Sequence, residues 1–217
     1  MSDIFNEVDE EVRREKLQQL WDRHKGLIIG AALLIVLGVG GWRGYQWWQA
    51  KQAAEAGGAF QTAMTLSAEG KHAEAEAAFA KVAEKRAAGY RDLARLQAAS
   101  ELAQRDPKAA VEAYDAVAGD TRSSDAMRDL AAVRAGLLLV DTAPYDDMRR
   151  RLEPATGMDR PFRNSARELL TLSALRGNDA ATARKWFDQI VTDAAAPAGL
   201  RQRIEMLMAL SPDVGNS

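Results

Sequence analysis

From Gly26 to Trp42 the chain reads GLIIGAALLIVLGVGGW, 17 residues without a charge. A helix spanning a bilayer's hydrocarbon layer needs roughly 17–25 such residues. A soluble helix this apolar on every side would need a large surrounding core, and nothing else in the chain supplies one. The flanks extend the span to residues 26–48. Arg43 is the only charge before Lys51, and a long basic side chain near a helix end can reach the interface. Trp42, Tyr45, Trp47 and Trp48 form an aromatic cluster suited to headgroup level, with Trp21 as a counterpart at the other end.

A cleaved signal peptide is the rival reading, and the flanks argue against it. The preceding segment, residues 1–25, carries seven acidic residues rather than a short basic region, and the apolar run exits into Arg43 and bulky aromatics rather than small residues. Orientation follows from the basic residues. Residues 11–25 hold five (Arg13, Arg14, Lys16, Arg23, Lys25) and residues 43–57 hold two (Arg43, Lys51), an excess that favours the N-terminus in the cytoplasm and the bulk of the chain outside, which in a bacterium is the periplasm. Gly26 and Gly30, and again Gly40 and Gly44, lie one turn apart and offer small surfaces for a neighbouring helix. Phe5, Val8, Val12, Leu17, Leu20 and Trp21 have rough helical spacing. The segment before the span is therefore either an amphipathic helix on the inner membrane surface or a solvated tail.

Beyond residue 50 the sequence turns polar and alanine-rich, and it matches itself. His72 to Glu84 (HAEAEAAFAKVAE) aligns with Pro107 to Gly119 (PKAAVEAYDAVAG) at an offset of 35. Ala75 falls on Ala110, Phe79 on Tyr114 and Val82 on Val117. At an offset of 73 stand Met148, Leu152 and Ala155, and at 108 stand Ala183, Phe187 and Ile190. The intervening segments repeat too, Arg91-Asp-Leu-Ala94 as Arg128-Asp-Leu-Ala131. Each unit reads as two helices and a tight turn, with a period near the roughly 34 residues of a tetratricopeptide repeat. The small residue at the Ala75 position lets the two helices approach, and the large one at the Phe79 position fills the gap to the next pair. The expected fold is all-α: one transmembrane helix, then a helical-hairpin solenoid of about four repeats over residues 49–210. Ile204, Leu207 and Met208 mark a terminal capping helix, and residues 211–217 a flexible tail.

Little chemistry is legible. The formal net charge of −2 gives no basic patch for nucleic acid, and the absence of cysteine removes thiolate chemistry and cysteine-ligated metals. His24 and His72 lack local partners for a metal site, and no nucleotide loop, Gly-x-Ser-x-Gly or His-Glu-x-x-His motif appears; Gly38-x-Gly40 lies inside the membrane span. Asp146 and Asp147 read as helix-start charges favoured by the macrodipole, Arg149 to Arg151 as a solvated face, and Trp186 with Phe187 as packing between repeats. No catalytic residue, cofactor, metal or small-molecule substrate is expected.

Ser2-Asp-Ile-Phe-x-Glu-Val-Asp-Glu, then Leu20-Trp21, a glycine-rich span ending in Trp42 and a short tetratricopeptide-like array together resemble a bacterial family. These are the YfgM-like single-span inner-membrane proteins described as ancillary subunits of the Sec translocon, and the N-terminal segment resembles their alphaproteobacterial form. The resemblance covers nearly the whole chain. It implies association with the translocon and with a periplasmic chaperone of the peptidyl-prolyl isomerase type, assisting secreted polypeptides as they emerge. It transfers no catalytic residue. The third unit departs from the repeat consensus, and Arg105 stands where the first unit has Gly70. A scaffold for cell-envelope or division complexes would have much the same sequence.

Overall fold

The computed structural model describes residues 3–85 and 88–210, with side chains from Trp21 onward apart from those of residues 22, 23, 28, 32 and 88. The chain divides into two compact units, Met1–Gln52 and Ala53–Ser217. The spacing of Phe5, Val8, Val12, Leu17 and Leu20 concerns side chains outside the described residues, as does the expected flexible tail at 211–217.

The described residues form helices and turns, with no strand among them. Helix α1 runs Asp3–Ala68. Its part up to Gln52 makes the first unit, and from Ala53 onward it is the first element of the second. There follow α2 (His72–Glu84), α3 (Ala88–Ala103), α4 (Pro107–Ala118), α5 (Asp125–Leu139), α6 (Tyr145–Leu152), α7 (Arg163–Arg176), α8 (Ala180–Val191) and α9 (Ala198–Ala209). Alanine gives these short helices their propensity, and side-chain oxygens start several. Asp106 accepts from the Ala109 N–H and Asp179 from the Thr182 N–H, each at 3.0 Å, satisfying a first-turn donor left open by helix geometry.

Apolar residues bind the second unit into a series of cores rather than one. The end of α1, α2 and α3 share Ala63, Ala75, Phe79, Val82 and Ala94. Next, α3, α4 and α5 share Leu96, Ala99, Tyr114, Val117, Ala131 and Ala135. Helices α5 to α8 enclose Val133, Met148, Leu152, Leu169, Leu170 and Trp186. Leu200, Ile204 and Met208 of α9 close the array against α7 and α8, with Leu207 half-buried. Each cluster joins only neighbouring helices, the packing of a quasi-one-dimensional array. From α2 through α4, α6 with its 3-10 turn, and α8, the residues at offsets of 35, 73 and 108 take equivalent places in the core, apart from the half-buried Phe187. A second row, from Ala63 at the same offsets, runs through Ala98, Gly136 and Thr171 of the partner helices. At Gly136 an added methyl would stand 3.1 Å from Leu169 and 3.2 Å from Leu152, so the small residue sets how closely those helices pack.

Turn chemistry explains why Arg105 replaces a glycine. Gly70 has φ +75° and Asn178, at offset 108, has φ +56°. Both turns close with a long backbone bond, Lys71 N–H to Leu66 O and Asp179 N–H to Ala174 O, and need a left-handed residue. The α3–α4 turn instead closes from Asp106 N–H to Leu102 O, one residue shorter. Arg105 therefore keeps a negative φ and strain is avoided. The third pair departs further: α6 lasts eight residues and passes at Pro154 into the 3-10 turn Glu153–Ala155, which still buries Ala155.

Candidate functional site

The residues singled out on the membrane segment lie on α1 within the first unit. An added Cβ at Gly26, Gly30, Gly40 or Gly44 meets nothing within 4 Å. Trp42, Tyr45, Trp47 and Trp48 are exposed. The Tyr45 and Trp48 rings stack at 6.1 Å, and the Lys51 ammonium sits 5.6 Å from the Trp47 ring centre. By length and composition this helix is able to cross a membrane, with a mean hydropathy of 1.9 and none of its apolar window buried.

The repeat-defining residues are core. Ala75, Phe79, Ala110, Leu152 and Ala183 are fully buried, and Tyr114 nearly so. Phe187 is only half-buried, and the neighbouring Trp186 fills the interior in its place, donating its indole N–H to the Tyr145 hydroxyl at 2.8 Å. That bond joins the third pair to the fourth.

Among the described residues of the second unit, helices frame two hollows of note. The larger, of about 490 Å³, lies between α2 and α4 over α3. Its middle is methyl-lined, by Ala80, Ala83, Ala98 and Ala113 among others, because alanine makes a wide trough where bulkier residues would fill it. Its charges are largely spoken for: Glu76 pairs with Arg105, and Arg91 and Arg95 with Asp120 at 2.5 and 2.9 Å. The smaller, a cleft of about 190 Å³, is bounded by Phe60 of α1, Leu93, Leu96 and Gln97 of α3, and Leu130 and Arg134 of α5. Tyr114 lies against it, and burial pushes its phenol up.

Ion pairs fasten the array at equivalent places. Asp120 and Asp193, 73 residues apart, each follow the second helix of a pair by two residues. Asp120 accepts from Arg122 side chain and backbone and from Arg91 and Arg95, and these donors hold its carboxyl below the usual carboxylate range. Asp193, buried, accepts from Arg163 at 2.5 Å, the Ala195 N–H at 2.9 Å, and Asn164 and Arg167 at 3.1 Å, with the same effect. Elsewhere, Glu101 is buried and takes a bond from the Ser67 hydroxyl at 2.6 Å and one to His72 Nδ1 at 2.7 Å. So His72 does have a partner, 29 residues away. Arg149 pairs with Glu153, Arg150 with Asp147, and Arg151 with Asp115 at 2.5 Å, so the arginine run is engaged within the fold. Among the described residues no group of three or more His, Asp or Glu side chains is placed to hold a metal ion.

Sequence reasoning missed the two fastening aspartates, although the signal was there. Their separation of 73 equals that of Phe79 and Leu152, but an aspartate after a helix looks like any turn residue until its partners are known. A family model described as a tetratricopeptide repeat-like domain matches residues 18–209. No curated protein and no solved structure matches the chain.

Proposed function

The chain belongs to the tetratricopeptide repeat-like domain family, and on that premise we propose that it is a membrane-anchored protein-binding scaffold rather than an enzyme. Stacked helical repeats present extended surfaces suited to polypeptide partners. The observation that carries the anchoring is the apolar stretch of α1, unburied at its described residues and long enough to cross a bilayer. Residues 26–48 form the span, with the glycines facing a neighbouring helix and the aromatics at the headgroups. Residues 1–25 lie in the cytoplasm and 49–210 in the periplasm, as the excess of basic residues before the span supports.

Within that architecture the chain acts as an ancillary subunit of the Sec translocon in the bacterial inner membrane. It holds the repeat array beside emerging polypeptides and a peptidyl-prolyl isomerase-type chaperone. Tethering raises the local concentration of the array, so weak contacts suffice. What supports this choice of partner is the likeness of the opening segment and the architecture to the YfgM-like family. The test is to tag the C-terminus, extract in mild detergent and identify what co-purifies, beside a version whose 26–48 helix is replaced by an unrelated anchor. Translocon subunits with a periplasmic chaperone are expected, reduced in the replaced version. Recovery of division or envelope-synthesis proteins without the translocon would leave the anchored scaffold and sink the translocon assignment.

A further inference from the structure

The cleft between α1, α3 and α5 has an apolar interior and one-sided charge. Phe60, Leu93, Leu96 and Leu130 form its walls, and its volume of about 190 Å³ is room for one large apolar side chain. Leu93 is 38% exposed there, and Leu137, two turns beyond Leu130 on α5, is 54% exposed. No carboxylate lines the cleft. Arg134 does, and it is exposed. Among the described residues from α3 to α8, every other arginine meets a carboxylate or a carbonyl oxygen, while Arg134 meets neither. An uncompensated guanidinium beside an apolar hollow is complementary to a carboxylate carried next to an apolar group.

We propose that this cleft docks an acidic–apolar stretch of a partner polypeptide, one large apolar side chain entering between Phe60, Leu93 and Leu130 and an adjacent Asp or Glu pairing with Arg134. The inference rests on the scaffold reading above and names the segment it captures. A lysine in place of the acid meets like charge at the rim. Nonspecific attraction works the other way, because the chain's formal net charge of −2 favours basic peptides. A preference for the acidic segment is therefore diagnostic of the cleft.

The test uses the full chain in nanodiscs of zwitterionic lipid and two short fluorescent peptides. Both carry one phenylalanine in a Gly/Ser background, flanked by glutamates in one and by lysines in the other. By anisotropy at low salt the glutamate peptide is expected to bind about tenfold more tightly. Arg134→Gln is expected to erase the preference and Arg134→Glu to reverse it, while Leu93→Gln weakens both peptides; thermal melting of each variant confirms that the fold is kept. Equal affinities, tighter binding of the lysine peptide, binding of neither, or a preference that survives Arg134→Glu each overturn the proposal. The scaffold reading is judged separately by co-purification, so it can stand where the cleft assignment falls.

Discussion

Arg167 is the most enclosed cation among the described residues of the array, its side chain 4% exposed, and its guanidinium reaches the Thr156 carbonyl at 2.7 Å, the Gln189 carbonyl at 3.2 Å and Asp193 at 3.1 Å. It stitches α7 to the turns after α6 and α8. Removing one partner of a buried pair leaves the other charge stranded, so Arg167→Ala is expected to cost about 3–5 kcal/mol, read as a lower urea midpoint. Acid attacks the same network from the other side. The Asp120 and Asp193 carboxyls are held low by their arginine and backbone donors. A depressed folded-state value means stability that is present above the unfolded carboxylate value of about 3.9 and is lost as pH falls below it. Melting followed by circular dichroism is expected to hold level from neutral pH down to about 5 and then drop, and Asp193→Asn to shrink that drop. None of these contacts was legible from sequence. Arg167 and Asp193 stand 26 residues apart, His72 and Glu101 29 apart, and no local pattern says which charges a fold will bring together.

At the scale of the element, the repeat was legible because its signal is periodic. Ala75, Phe79 and Val82 recur at fixed offsets, and each equivalent set occupies the core save for Phe187, where Trp186 next door faces inward instead. One step of rotation on a helix exchanges which of two adjacent aromatics is buried, and composition cannot resolve it. The turns are less legible, because Arg105 in the place of Gly70 does not say how the chain turns there; the α3–α4 turn closes one residue sooner. Gly70→Ala, forcing a side chain into the left-handed region, is therefore expected to destabilise the protein by about 1–2 kcal/mol. Arg105→Gly is expected to bring no gain, since its φ is already ordinary and the Glu76 pair is lost. Urea unfolding of the two variants side by side checks this, and a stabilised Arg105→Gly protein would contradict the turn assignment.

For the whole molecule, the apolar run and the repeat offsets were enough to expect an all-α chain with a membrane-competent helix and a repeat array, because both are long patterns that survive individual substitutions. The cleft at Arg134 was not, since its walls come from helices more than thirty residues apart and its meaning depends on which arginines elsewhere are neutralised. The proposed function requires the array to stand outside the bilayer, tethered by α1. That is open to measurement because the chain contains no cysteine: single cysteines placed at Ser2 and at the exposed Glu205 of α9 become the only targets for a membrane-impermeant maleimide. In intact spheroplasts the Glu205→Cys protein is expected to label, the Ser2→Cys protein only after lysis, and both to stay with the membranes through carbonate extraction. Labelling in the opposite order, or release of the chain into the soluble fraction, would contradict a periplasmic scaffold held by its own helix.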